Sequence, residues 1–382
     1  MRELRGDWRD LFNNFAIALD PRKMFLALAG MIMTFALISV WFWLWDKGFN
    51  LGLGVFTKNF SVVTMPAFFG TLSDKLFATQ HLYVALAGII SFYAGIIFIF
   101  IFAWSFFGGA ITRIAAVEIA KDERIELSNA IHFGKRRYSS FFWSKLTCIL
   151  LFLFFFLCIF GACLLARIPT LGPFLKILLV IFLPLAMITS FLLTMLGLGA
   201  TFGHVLFFPA VAAEDTDAFD AISRGFSYLF AEPWKFIWYQ IVSGVYGFIT
   251  FMFVLVFSWM LMLIMLFAAR FGMGSRSFSP MIKNIYAFFS EFFNGMQANP
   301  NPQMNTVEMI STVIFAAWIL LFAGFVFSFA LSYFFSGQTM IYFLLRKKVD
   351  SIDMTEVYEE KESEEELKEE TPPAVPAEQP KA

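Results

Sequence analysis

The sequence predicts an all-α fold: a polytopic transmembrane helical bundle of about six spans, with amphipathic interfacial helices and a disordered acidic C-terminal tail. Three observations predict it. Of 382 residues, 59% are hydrophobic and 15% charged, where soluble domains average nearer half and a quarter. Six apolar runs reach the ~20 residues that cross a bilayer, and none contains Asp, Glu, Lys or Arg. After Lys348 the composition turns abruptly to Glu and Pro. These features exclude a soluble enzyme, a disordered chain and a nucleic-acid binder.

Residues 1–23 come first. Trp8, Leu11, Phe12, Phe15, Ala16 and Leu19 repeat at helical spacing around Arg9, Asp10, Asn13 and Asn14, and Pro21 ends the segment. This predicts an amphipathic helix, either on the inner membrane interface or packed on the cytoplasmic face of the bundle. The membrane domain covers 24–348. Its runs are Met24–Trp45, Leu82–Gly109, Leu146–Ala166, Ile177–Phe208, Phe236–Ala269 and Ile310–Leu345. The first is too long for a signal-peptide core and reads as an uncleaved anchor. The fourth carries Pro184, Gly197, Gly199 and Gly203, so it is one kinked helix or a broken one. Outer loops are expected over 46–81 and 270–309. In the second of these, Ser279, Pro280 and Gly295 bracket a short helix with Ile282, Ile285, Phe289 and Phe292 on one side, expected to lie flat on the membrane. Residues 349–382 form the tail, solvated or docked on a basic partner.

Lys and Arg set the orientation. They are concentrated in the N-terminal segment, in the second-to-third and fourth-to-fifth connections, and at Arg346, Lys347 and Lys348. The positive-inside rule puts both termini in the cytoplasm of a multi-pass cell-membrane protein. The two inner connections, 110–145 and 209–235, share a pattern. Ala130-Ile131-His132-Phe133-Gly134 precedes Trp143, and Ala221-Ile222-Ser223-Arg224-Gly225 precedes Trp234 at the same offset. Glu118 and Glu214 each follow small apolar residues. This predicts a parallel internal repeat of span, amphipathic elbow, span. Glu118, Gly134, Trp143, Glu214, Gly225 and Trp234 are its candidate elbow and interface residues. The two tryptophans suit the headgroup belt. The glutamates read either as solvated or capping groups or as a functional pair.

The stretches Gly109–Ala116 with Ala130, and Pro209–Glu214 with Trp234, resemble a group of uncharacterised bacterial polytopic membrane proteins. More distantly, they are similar to the membrane domain attached to some glycerophosphodiester phosphodiesterases. The resemblance covers roughly the second to fifth spans. It implies a helical bundle with paired cytoplasmic elbows and carries no catalytic residue over. The catalytic domain of those phosphodiesterases is separate and soluble, and this chain has no room for one.

Little else suggests chemistry. Cys148, Cys158 and Cys163 fall in one apolar run without metal spacing. His81 sits at an outer boundary, His132 in a basic elbow and His204 near the inner end of the fourth span, and they read as interfacial. No nucleophile–base or metal motif occurs, so no catalytic residue, metal or cofactor is expected. Small residues at four-residue spacing are candidate helix-packing positions: Ala87, Ser91 and Gly95; Gly199 and Gly203; Ser243 and Gly247. They serve packing within the chain or self-association. The expected partners are membrane lipids and a second copy or a membrane complex, with no nucleic acid. The expected function is a non-enzymatic scaffold or organising subunit of a membrane complex. The alternative is a permease or transport subunit for an apolar or lipid-like substrate, with the elbows as coupling helices.

Overall fold

A computed structural model describes residues 4–49, 82–165, 172–294 and 306–359. Most of the loop expected at 46–81, together with His81, Gly295 and the chain beyond Glu359, lies outside the described residues. Among the described residues all regular structure is helical. After a 3₁₀ turn at Trp8–Asn13 come α1 (Asn14–Ala18), α2 (Pro21–Phe49), α3 (Leu82–Lys121), α4 (Leu127–Arg136) and α5 (Tyr138–Leu165). They are followed by α6 (Gly172–Ile181), α7 (Leu183–Leu198), α8 (His204–Glu214), α9 (Ala218–Ala231), α10 (Pro233–Asn294) and α11 (Thr306–Val349).

Among the described residues, six helical stretches are long and apolar enough to cross a membrane, in α2, α3, α5, α7–α8, α10 and α11. The first starts at Asp20, whose carboxylate accepts the Arg22 backbone N–H at 3.0 Å, with Pro21 at the first helical position. Both residues suit a helix start, where backbone N–H groups lack intrahelical acceptors. The fourth crossing is kinked twice. Helix α6 breaks at Phe182, just before Pro184 opens α7. A π-helical turn, Gly199–Gly203, then joins α7 to α8. Proline removes a backbone donor, and a π turn shifts the register of the helix after it.

The elbows are shorter than the sequence predicts. Helix α3 runs past Gly109 to Lys121 and α5 begins at Tyr138, leaving 122–137 as the first connection instead of 110–145. Likewise α8 reaches Glu214 and α10 begins at Pro233, leaving 215–232 instead of 209–235. The charged residues Arg113 and Glu118 do not end α3, because each finds partners inside the fold, and Glu214, the last residue of α8, is held by partners there too. Both connections open identically: Asp122 and Asp215 adopt left-handed backbone, with φ of 58° and 54°. Their N–H groups close onto the carbonyls of Glu118 and Val211 at 3.1 and 3.0 Å. Asp tolerates this conformation better than most residues, and it is a common helix stop.

Two further boundaries differ. Most of the loop expected at 270–309 is helical up to Asn294. The break falls at Gly274, with φ 70° and ψ 159°, ahead of Ser279, and Pro280 lies inside the following helix. A positive φ costs glycine nothing, so Gly274 ends the span first. At the other terminus, residues 350–359 of the expected tail are docked on the bundle. Arg346 donates to the Asp353 carbonyl at 3.1 Å, and the Tyr358 N–H donates to the Ala213 carbonyl at 2.8 Å.

The tightest packing lies at one end of the bundle, here the elbow end. Its core combines Leu11 and Ile17 with Ala110–Ala120, Leu206–Ala213 and Met340–Leu345. The first and last described residues lie there too, with Gly6 beside Lys347. The N-terminal segment is wedged against the sixth span: Asn14 donates to the Tyr333 carbonyl at 3.1 Å and Ser332 to the Ala18 carbonyl at 2.8 Å. Away from this end the spans present Phe, Leu, Ile and Met outward.

Candidate functional site

Two layers are built on this frame. The first is a charged layer at the elbow end. Glu118 is 4% exposed, and its Oε2 meets the Lys23 ammonium, itself fully buried, at 2.7 Å. Glu214 accepts from the Tyr342 hydroxyl and pairs with Arg224 at 2.7 Å and Arg346 at 3.4 Å. Neither glutamate is a solvated cap: each ties separate helices together. Arg113 donates to the carbonyls of Ala212 and Tyr358, both at 2.8 Å. Arg136 and Arg137 from the first elbow both reach Asp215 at the start of the second. The bond to Asp215 comes first among the causes that hold the Arg137 pKa above its ordinary value. Asp217 caps α9, accepting the Asp220 N–H at 2.9 Å. Burial, then the bond to Asp350, pushes the Tyr228 phenol well above its ordinary value.

The small residues seat the elbows and spans. A side chain on Gly134 would meet the Ala110 methyl at 3.4 Å, and one on Gly225 would meet the Phe207 ring at 2.6 Å. Each elbow helix thus lies against the helix that precedes it. Gly199 and Gly203 face the second elbow, under Phe226 and Leu229. Gly95 lies under the Trp41 ring, and Gly247 under Tyr333. The Tyr333 hydroxyl donates to the Ser243 carbonyl at 3.0 Å. Ala87 and Ser91, by contrast, are exposed. Trp143 and Trp234 stand on the outer surface, 45% and 82% exposed.

The second layer is a cavity of about 960 Å³ between the first, second, third, fourth and sixth spans. Pockets for small ligands span roughly 300–1,000 Å³, so this one is at the large end. Its walls are almost wholly apolar, with Phe35, Phe100 and Phe334 among them; its titratable nitrogens come from Lys145 and His204. Chain direction orders it from end to end. Trp104, Lys145, Phe208 and Phe335 form the end nearest the elbows, and Ile38, Ile97, Ile149 and Phe327 the far end. The near end has an aromatic floor. Trp104 stacks on Phe335 at 5.6 Å between centroids, Phe335 on Phe208 at 6.2 Å, and Phe208 meets Phe141 edge-on at 5.1 Å.

Lys145 sits above that floor, its ammonium 4.0 Å from the Phe208 ring centroid. Among the described residues it has no carboxylate within ion-pair distance. His204 Nδ1 lies 2.9 Å from the Thr201 carbonyl. A carbonyl only accepts, so Nδ1 carries the proton in that bond, and Nε2 is left as the free ring nitrogen of a neutral imidazole.

The sequence assigned Lys145 to the elbow, because the apolar run begins one residue later at Leu146. The signal that places it is helical spacing: Lys145, Cys148 and Ile149 share one face of α5, and all three line the cavity. His204 read as interfacial and instead belongs to the same wall, whereas His132 is exposed. No group of three or more His, Cys, Asp or Glu with metal-binding geometry occurs among the described residues. The arrangement is a long apolar chamber with one cation and one imidazole. Comparison with protein-family models, with curated proteins and with solved structures finds no match to this chain.

Proposed function

We propose that this protein takes a lipid-like molecule into its membrane domain and has no enzymatic chemistry of its own. The observation that carries this reading is the open apolar chamber lined by five of the six spans. A scaffold has no use for such a space, and filling it with side chains would add stability. The same reading places the chain in the cell membrane with both termini cytoplasmic. The lysine- and arginine-rich elbow end supports that orientation. We also infer that the two elbows are copies of one unit, supported by the matched left-handed Asp122 and Asp215 stops and the matched seats of Gly134 and Gly225. This paired-elbow unit is the part we propose it shares with the membrane domains of some glycerophosphodiester phosphodiesterases.

The test is lipid retention. The full-length protein, purified in mild detergent, is expected to carry lipid visible by native mass spectrometry. Ala330→Trp, which projects a large ring into the chamber, is expected to strip it. Equal lipid loads in the two proteins would sink the reading. Reporter fusions at each terminus check the orientation.

A second reading, an organising subunit that assembles with another membrane protein or a second copy, has one observation in its favour. The most apolar eighteen-residue stretch of the fifth span has no buried residue. Stoichiometric co-purification of another membrane protein, with no retained lipid, would favour this alternative.

A further inference from the structure

Resting on the lipid-binding reading, we infer that the chamber's ligand is an anionic amphiphile, its charged head held by Lys145 and its hydrocarbon lying toward Ile38, Ile97 and Phe327. The inference starts from a mismatch. An ammonium in apolar surroundings is costly unless an anion meets it. The face of Phe208 at 4.0 Å supplies part of that compensation, but a ring face carries no net charge. Carboxylates are plentiful at the elbow end, yet Glu118 and Glu214 are committed to Lys23, Arg224 and Arg346. The Phe141, Phe208, Phe335 and Trp104 rings lie across the near end of the chamber.

A lysine near a helix end normally snorkels toward water. Lys145 lies seven residues into α5, about 10 Å from its start, and lines the chamber. The wall around it shows what kind of anion fits. Thr34 spends its hydroxyl on the Gly30 carbonyl at 2.7 Å, so the Lys145 ammonium is the group left to meet an anion, while the unprotonated Nε2 of His204 can only accept, from a hydroxyl of the head. One cation matches a single negative charge, carried by a phosphodiester or a carboxylate. The remainder of the chamber is hydrocarbon-like and roughly the capacity of acyl chains. An apolar molecule without a charged head would leave the lysine unmatched.

Headgroup selection tests the inference, using the full chain in mild detergent. Native mass spectrometry follows competition between phosphatidylglycerol and phosphatidylcholine of identical chains, with oleate in a parallel arm. We expect the native protein to favour the anionic phospholipid or oleate by about tenfold over phosphatidylcholine. The arm that wins separates a phosphodiester head from a carboxylate. Lys145→Met, which keeps the packing and removes the charge, is expected to retain lipid but lose the preference, and Lys145→Arg to keep it. A native protein that favours neither phosphatidylglycerol nor oleate over phosphatidylcholine overturns the inference and leaves the lipid-binding reading standing. So does a preference that survives Lys145→Met. Absence of bound lipid from the native protein removes both. Because the native protein's own preference is informative, the inference stays testable even if a variant misfolds.

Discussion

Lys23 at the start of the first span and Glu118 near the end of the second form a buried ion pair, Nζ to Oε2 at 2.7 Å. The lysine is fully buried and the glutamate 4% exposed. The pair sits among Ile114, Ala115 and Ile119, which are nearly dry. Removing one partner strands the other charge, at a cost of about 3–5 kcal/mol. Glu118→Ala and Lys23→Ala should each sharply lower the melting temperature in detergent. The double replacement Lys23→Met with Glu118→Leu should recover most of the loss, because packed apolar side chains replace a buried pair at little cost. A single variant that melts with the native protein would show that the pair is not the clamp between these spans.

The segment that follows the sixth span is a strap. Arg346 bonds the Asp353 and Glu356 carbonyls, Arg113 bonds the Tyr358 carbonyl, and Tyr228 bonds Asp350. Met354 is 1% exposed. Truncation after Glu359 keeps every one of these contacts and should leave thermal stability unchanged. Truncation after Val349 removes them and leaves Arg346 and Arg113 short of acceptors, at about 1–3 kcal/mol for each stranded polar group. The second truncation should therefore melt several degrees lower. Equal melting of the two would show that the strap carries no load.

The spans were legible because apolar runs without charge announce themselves, and the elbow glycines because Gly134 and Gly225 keep a fixed offset to tryptophan. What escaped was long-range pairing. Lys23 and Glu118 are 95 positions apart, and the sequence of neither segment refers to the other. Hydropathy ends the second run at Gly109, but α3 continues through Arg113 and Glu118 because partners from α2, α8 and the strap reach them. Lys145 was misplaced by a boundary of one residue, since hydropathy marks where a run begins and not which way a side chain faces. The chamber itself has no signature in a linear string: it is space left where five spans fail to close.

Glycine positions offer a paired contrast. A methyl on Gly225 would meet the Phe207 ring at 2.6 Å and the Gly203 carbonyl oxygen at 3.3 Å, whereas one on Gly244 meets nothing within 4 Å. Both residues are helical. Gly225→Ala should destabilise by about 1–3 kcal/mol through overpacking, with the second elbow lifting off the fourth span. Gly244→Ala should be neutral or stabilise by up to about 1 kcal/mol from helix propensity alone. Thermal denaturation of the two variants side by side checks the contrast, and the same sign for both would refute it.

Asp20 gives the elbow end a pH dependence. Burial pushes its carboxyl pKa up, but the bonds from Arg22 and the charge of Lys23 outweigh that and hold it below its ordinary value. A carboxyl depressed by folding stabilises the folded state above its unfolded pKa, near pH 4. That contribution is lost as pH falls through the lower folded value. It should therefore be constant from neutral pH down to about 5 and disappear below about 4. Asp20→Asn keeps a capping oxygen for the Arg22 N–H while removing the charge. Its melting temperature should lie below that of the native protein at pH 7 and approach it at pH 3. Other acids shift both proteins alike, so the difference between the two curves isolates Asp20. A gap that stays constant across that range would place the loss in the Asp20 side-chain geometry instead of its charge.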